Sequence, residues 1–484
     1  MKKADNAVVR WTACPECQGH GKKSKGISRK QRIQYQTDLQ EYETKGDGTP
    51  PLGPKGHLYP CQGCKGTGLV SGMLRGADRE KYPHIAIIGA GIGGVALAVA
   101  CLHRGIPYIL YERDSDIHAR SQGYGLTLQQ AGKAMAGLGI VSLEEAVIST
   151  RHLVHTTEGK VIGEWGARKW LRTDDVKPAK RSNMHIARQS LRLALVDQLG
   201  GDDAIRWDHR LTDLKEHEDG GMELTFYANG EMKTSRADLV VGADGIRSAV
   251  RRLLIGEDSA PLRYLDCIVI LGICQLNDLK DIDSPLLDSA TVFQTANGNE
   301  RIYVMPYTAN SVMWQLSFLM QEDKAKALSA KGAHALKEEA CLRTQWHDPI
   351  PQIIAATPEA LISGYPVYDR ELLSDELLTN AGTVTLIGDA AHPMSPFKGQ
   401  GANQALLDAL LLARAIARGC RNSEWKKAGL RESVLTAFEA EMSNRSAVKV
   451  KDSAKASEFL HSETVLHESD SPRGRCLKEK DREE

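Results

Sequence analysis

The apolar positions of this 484-residue chain fall into patterns of different period, and each change of period marks an element. Ile85 to Ile88 form an unbroken aliphatic run, as a strand covered on both faces requires, and the helical stretch after it ends near Gly105. Ile106 to Tyr111 read as a second strand. Much later, Val384 to Ile387 repeat the buried-strand pattern. Leu406, Ala409, Leu410, Ala413 and Ala417 then share one face of a helix that stops at Gly419. Between these halves, YLDCIVILGICQLN, SATVFQTA, ERIYVMPYT and SVMWQLSFLM are β-branched or alternating and are parted by polar turns. They predict successive strands of one sheet, followed by helical residues over 324–345 and 351–356. One long helix is predicted over 431–461. The charged, apolar-poor stretch 462–484 is expected to be disordered.

Composition narrows the class. The length allows roughly two to four domains. Lys plus Arg and Asp plus Glu balance at 62 each, so no overall field gathers nucleic acid, and a small-molecule partner is expected instead. No apolar run reaches the roughly 18 residues that span a bilayer, and the N-terminus has no apolar signal core, so a cytoplasmic protein is expected. Cys101, Cys267, Cys274, Cys341, Cys420 and Cys476 are scattered among apolar or helical residues and read as small hydrophobes.

The remaining four cysteines are paired, in Cys14-Pro-Glu-Cys17-Gln-Gly19-His-Gly21 and Cys61-Gln-Gly-Cys64-Lys-Gly66-Thr-Gly68. Cys-x-x-Cys lets two thiolates grip one tetrahedral ion from a tight turn, and the trailing glycines allow positive φ and bring N–H groups near the sulfurs. A thiol–disulfide pair is the competing reading, but redox Cys-x-x-Cys opens a helix, whereas here it leads into glycines. The repeat resembles the zinc-binding repeats of DnaJ-type chaperones. Those carry four copies; the two here imply one closed, structural zinc on Cys14, Cys17, Cys61 and Cys64 within a module over 1–76. Residues 22–60 read as an extended hairpin or arm able to hold a protein partner, with His20 and His57 as surface residues.

After Ile85 to Ile88 come Gly89, Gly91 and Gly94 in G-x-G-x-x-G spacing. The first permits the turn, the second lets backbone approach a pyrophosphate, and the third lets helix and strand pack closely. Glu112 ends the second strand about 20 residues on, where a carboxylate accepts ribose hydroxyls and disfavours a 2′-phosphate. FAD and NAD remain equally open on this unit alone.

The late hinge, GDAAHPMSPFKGQGAN, decides between them. Gly388 lets the chain approach a ligand, Asp389 offers a carboxylate to ribityl hydroxyls, Pro393 and Pro396 stiffen the loop, and Gly399 and Gly401 expose N–H groups at a helix start. A nicotinamide dehydrogenase has no use for this second site.

The hinge, the strand-ending ADLVVGADGIRSAVRR and HIARQSLRLALVDQL together resemble the class A flavoprotein monooxygenases, which include para-hydroxybenzoate and salicylate hydroxylases. The Pro-Phe-x-Gly-Gln-Gly form is most similar to the tetracycline-inactivating branch. The resemblance covers about 81–460 and implies FAD contacts at Arg113, Arg188, Asp244, Gly245, Pro396 and Asn403, besides the residues above. It also implies reduction by NAD(P)H bound transiently, reaction with O2 to a flavin hydroperoxide, and hydroxylation of an aromatic or polyketide-like molecule. No side chain is assigned as a catalytic nucleophile or base, and His392 is read as a loop support.

The expected fold is α/β: a Rossmann-like FAD-binding domain over 82–260 and 380–430, an inserted mixed-sheet substrate domain over 261–379, the small N-terminal zinc module and the C-terminal helix. Gln275, Gln294, Arg301, Tyr303, Trp314 and Gln315 are candidates to face the flavin. The alternatives are a reductase or halogenase of the same fold, the latter without its Trp-x-Trp-x-Ile-Pro signature here, and a zinc- and FAD-dependent redox-sensing module.

Overall fold

The computed structural model describes residues 10–45, 51, 56–119, 124–129, 131–170, 183–218, 220–257, 259–279, 281–422 and 424–473. The predicted disorder of 474–484 falls outside them.

The aliphatic runs assemble into a five-stranded parallel sheet. Its order is Ile205–Arg206, Tyr108–Tyr111, Ile85–Ile88, Leu239–Gly242, Val384–Leu386. The fingerprint strand is therefore central. The strand leading to Asp389 lies two positions away although almost three hundred residues separate them in sequence. Helix Ile92–Leu102, buried from Ile92 to Cys101, and helix Gly401–Gly419 pack beside one another in the main core. A three-stranded antiparallel sheet, His209–Glu216, Met222–Ala228 and Glu231–Ala237, completes this half.

The inserted half is a seven-stranded sheet in the order Val161–Trp165, Arg151–His155, Thr291–Ala296, Glu300–Thr308, Ser311–Leu319, Leu262–Gln275, Ile362–Arg370. Helices Glu322–Ala330, Ala333–Arg343 and Ile350–Ala356 cover one face of it. The boundary at 261 needs correction, because the strands over 151–165 join this sheet. Arg151–His155 is its parallel neighbour of Thr291–Ala296, a pairing no local pattern reveals.

Two further expectations change. Residues 22–60 are not an extended arm throughout: Lys22–Ser24 pairs with Leu58–Pro60, and Arg29–Lys45 is a helix. Ser28 and Gln31 cap that helix reciprocally, at 3.2 Å for Gln31 N–H to Ser28 Oγ and 3.1 Å for Ser28 N–H to Gln31 Oε1. The segment 462–473 is ordered: Val465 is fully buried, and Ser469 N–H donates to the Ile162 carbonyl at 3.0 Å. The C-terminal helix is Thr436–Phe459, preceded by a π-helical turn over Arg431–Leu435. Among the described residues, no helix is long and apolar enough to cross a membrane.

Candidate functional site

The nucleotide end of the site forms where Ile85–Ile88 turns into Ile92–Leu102. Gly89 has φ +102°, and a Cβ there would lie 2.7 Å from the Ala243 carbonyl oxygen. A Cβ on Gly94 would stand 1.8 Å from the Gly89 carbonyl oxygen. Gly91 differs: no protein atom lies within 4 Å of its Cβ position, so its backbone faces open space. Glu112 is buried and accepts from the N–H groups of Ala90 at 2.7 Å, Arg113 at 2.8 Å and Asp114 at 3.2 Å. These three contacts fix its carboxylate beside the glycine turn. The Arg113 side chain is exposed. Arg192 was missed by the pattern; it is buried and donates to the Ala90 carbonyl at 2.8 Å and that of Ile117 at 3.2 Å, bracing the turn from behind.

The second end is a ring of residues from distant segments. Asp389 is exposed to solvent, yet the protein packed around it raises its carboxyl pKa, against the charges of His392 and Arg188. Among the described residues no group hydrogen-bonds its carboxylate. The Arg188 guanidinium lies 5.6 Å from the Tyr124 ring centroid and is likewise without a side-chain hydrogen bond among the described residues. Tyr365 is close enough to feel both Arg188 and Tyr124. Gly399 takes the left-handed φ of +58° after the Pro396–Lys398 turn, and Gly401 opens the helix with its Cβ position 3.3 Å from Asp389 Oδ1. Bare backbone, a free carboxylate and a free guanidinium fit a ligand that is polyhydroxylated and anionic.

Behind this ring lies a buried charged network. His392 Nε2 is 2.7 Å from Asp408 Oδ2, which also accepts from Gly388 N–H at 2.9 Å, and Arg445 donates to Asp408 Oδ1 at 2.5 Å. His392 is thus a support.

Two expected cofactor contacts are otherwise engaged. Asp244 accepts from Ser248 Oγ at 2.5 Å and from the N–H groups of Ala249 and Val250 at 2.6 and 3.2 Å, so it caps helix Ala249–Ile255. Gly245 follows at φ +81° with open space around it. The Asn403 side chain accepts from Gln129 and Ala131 N–H groups at 2.9 and 3.2 Å and donates to the Thr127 and Gly399 carbonyls at 2.8 and 2.9 Å. Its amide is spent holding strand Gly125–Leu128 against the hinge. Arg251, from the same motif as Asp244, donates to the carbonyls of Ala390 and Ala391 at 3.1 Å each.

The sheet face opposite the three helices turns to this ring. Leu271, Gln315, Tyr303 and Gln294 stand in one cross-strand row. Met305 and Met313 cluster beside it, and Phe397 covers Cys267, Val269 and Leu271. The Gln315 Nε2 is buried without a partner among the described residues, while Arg301 Nε donates to Gln294 Oε1 at 2.7 Å. Trp314 points the other way, donating to Thr357 Oγ1 at 2.9 Å, and Gln275 is exposed at the strand end.

The four paired cysteines converge. Their sulfurs all lie within 4.8 Å, and Cys17 Sγ and Cys64 Sγ are 3.6 Å apart, close to the ~3.8 Å that tetrahedral ligands at about 2.3 Å from zinc require. Gly21 and Gly68 N–H groups each donate to a sulfur, of Cys17 and Cys64, at 3.2 Å. His20 is half-buried rather than fully at the surface: burial first, then Arg418 and three further arginines, push its pKa down to about 4.

With this geometry in place, similarity to known proteins is informative. The FAD binding domain family model matches residues 82–432, and the chain belongs to this family of FAD-dependent monooxygenases, an oxidoreductase class. A probable FAD-dependent monooxygenase of Arthroderma benhamiae is 26% identical over 77% of this chain and 91% of its own length. Chloroplastic zeaxanthin epoxidase of an Oncidium hybrid cultivar is 27% identical over 77% of this chain; the match spans 54% of the epoxidase. Klebsiella pneumoniae HpxO, solved with FAD and uric acid, superposes with a TM-score of 0.63 at 23% identity, covering 83% of this chain and 93% of that one. Tetracycline destructase Tet(51) superposes at 0.55 and 19% identity, over 80% and 96%. Both likenesses speak to fold.

Proposed function

We propose that the chain is an NAD(P)H- and O2-dependent FAD monooxygenase that hydroxylates an aromatic or polyketide-like small molecule. The observation that carries this reading is the pairing of an open glycine turn beside Glu112 with a second ring where, among the described residues, Asp389 and Arg188 have no hydrogen-bond partner for their side chains. Gly89, Gly91, Gly94 and Glu112 would hold the adenosine diphosphate, and Arg188, Asp389, Gly399 and Gly401 the ribityl chain and ring. When bound, FAD supplies the redox chemistry, accepting electrons from the nicotinamide and activating dioxygen. The start of helix Gly401–Gly419 would offer its partial positive charge to a flavin held there.

The apolar sheet face and Phe397 exclude water from the substrate, which limits wasteful loss of activated oxygen. Gln315, Tyr303 and the Arg301–Gln294 pair receive its oxygen substituents, since an unpartnered amide in an apolar wall calls for a polar ligand atom. On the same footing, Cys14, Cys17, Cys61 and Cys64 hold one structural zinc: the sulfurs fit its tetrahedron and none is left open for a substrate. A cytoplasmic location and a protein partner for the exposed helix Arg29–Lys45 complete the reading.

The test is NADH and NADPH oxidation by the flavin-loaded chain against a library of phenols, purines and polyketides. Stimulation coupled to product gaining one oxygen atom supports the reading. Oxidation that no compound stimulates counts against it.

A further inference from the structure

The cysteine module sits on the far ends of the two helices whose near ends face the cofactor cleft. Ala13 N–H donates to the carbonyl of His103, just beyond helix Ile92–Leu102, at 2.9 Å. Arg104 Nη2 donates to the Gly19 carbonyl at 3.0 Å, and Arg414 Nη2, from helix Gly401–Gly419, to the Thr67 carbonyl at 2.8 Å. Each arginine thus reaches the turn that follows one cysteine pair.

Arg104 is deeply buried and Arg414 half-buried. Arg104 is 3% exposed, and the Nε atoms of both arginines are buried without a hydrogen-bond partner among the described residues. Among those residues no carboxylate forms an ion pair with either one. The two cations also repel one another, and two of the paired cysteines lie within electrostatic reach: Cys17 of both arginines and Cys64 of Arg414. Buried charge persists where it is paired. Four protonated thiols would leave two positive charges unmatched at this interface. A divalent ion held by four thiolates carries a net charge of −2 and balances them.

We propose that the metal-loaded cysteine centre is the counter-ion of Arg104 and Arg414, so that metal retention and docking of the module onto the two cofactor-holding helices are one linked equilibrium. This rests on the metal reading of the four cysteines. Linkage is reciprocal: metal binding favours the dock, and the docked arginines hold the metal. The module is then an internal clamp whose state reaches both ends of the cofactor cleft through rigid helices.

The experiment uses the full flavin-loaded chain. Metal content is measured first. Release of zinc to a chromogenic chelator is then timed for the wild type, for Arg104→Met with Arg414→Met, for each single substitution, and for the corresponding double lysine variant. Flavin absorbance and the circular-dichroism spectrum confirm that each variant is folded. The expected result is one zinc per chain, release at least tenfold faster in the double methionine variant, and near wild-type release in the lysine variant, which keeps the charge. Limited proteolysis between residues 72 and 81 should rise in parallel. One zinc with equally slow release in the methionine variants overturns the counter-ion role while leaving the metal site standing. Lysine variants as fast as methionine ones also overturn it, since carbonyl capping alone would then explain both arginines. A wild-type chain without metal removes the site itself.

Discussion

Arg445, on the C-terminal helix, donates a hydrogen bond to Asp408 of the helix that opens at the hinge, at 2.5 Å. The other Asp408 oxygen holds His392 and the Gly388 amide, so a residue remote from the cleft fixes the backbone next to Asp389. Removing one partner of a buried pair leaves an uncompensated charge, at a cost of about 3–5 kcal/mol. Arg445 is partly accessible, so Arg445→Met should fall below that range and Asp408→Asn within it. Thermal unfolding of the flavin-free chain checks both.

The same network gives stability a pH dependence. Burial alone would lower the His392 pKa, but Asp408 and Asp389 outweigh it and raise it. Burial likewise opposes ionisation of Asp408, and His392 and Arg445 outweigh that, lowering its pKa. A raised histidine contributes below its unfolded value of about 6.5 and fades as pH climbs through its folded value. A lowered aspartate contributes above about 3.9 and fades as pH falls through its folded value. The pair is therefore fully effective between roughly pH 4 and 6.5. Relative to wild type, His392→Gln should lose most stability in that window and progressively less on the alkaline side, as melting temperatures across pH would record.

The glycines of the fingerprint should separate. Gly94→Ala forces a methyl onto the Gly89 carbonyl and should destabilise the flavin-free protein itself. Gly91→Ala meets no protein atom, so it should leave that stability nearly unchanged and weaken dinucleotide binding. Melting curves with and without FAD distinguish the two effects.

Legibility in the sequence followed the range of the contacts. The glycine fingerprint and paired cysteines act within a few residues, so their spacing carried their geometry. Even the missed helix over Arg29–Lys45 left a local signal, the Ser28–Gln31 capping box, which its uniformly polar composition masked. Strands over 151–165, by contrast, belong to the substrate sheet only through pairing with residues near 291, and Val465 is ordered only because other segments bury it. Side-chain roles were least readable. Asp244 and Asn403 carry donors and acceptors that suit a cofactor, yet neighbouring N–H and carbonyl groups occupy them.

Gln315→Leu should spare the fold, since the amide Nε2 has no protein partner among the described residues. Losing one hydrogen bond to substrate costs about 0.5–1.5 kcal/mol, or roughly 2- to 12-fold in kcat/KM. Steady-state kinetics with an identified substrate measure it, and flavin reduction by NAD(P)H without substrate should stay unchanged.

The claim that one FAD spans both ends of the cleft is tested most directly by titrating FAD and ADP into the wild type, Glu112→Ala and Asp389→Ala. Loss of Glu112 should weaken both ligands. Loss of Asp389 should weaken FAD by about 10- to 150-fold, as expected for hydrogen bonds to a charged group, and leave ADP unchanged. Equal FAD affinity in Asp389→Ala and wild type, or no FAD binding by the wild type, would contradict the claim.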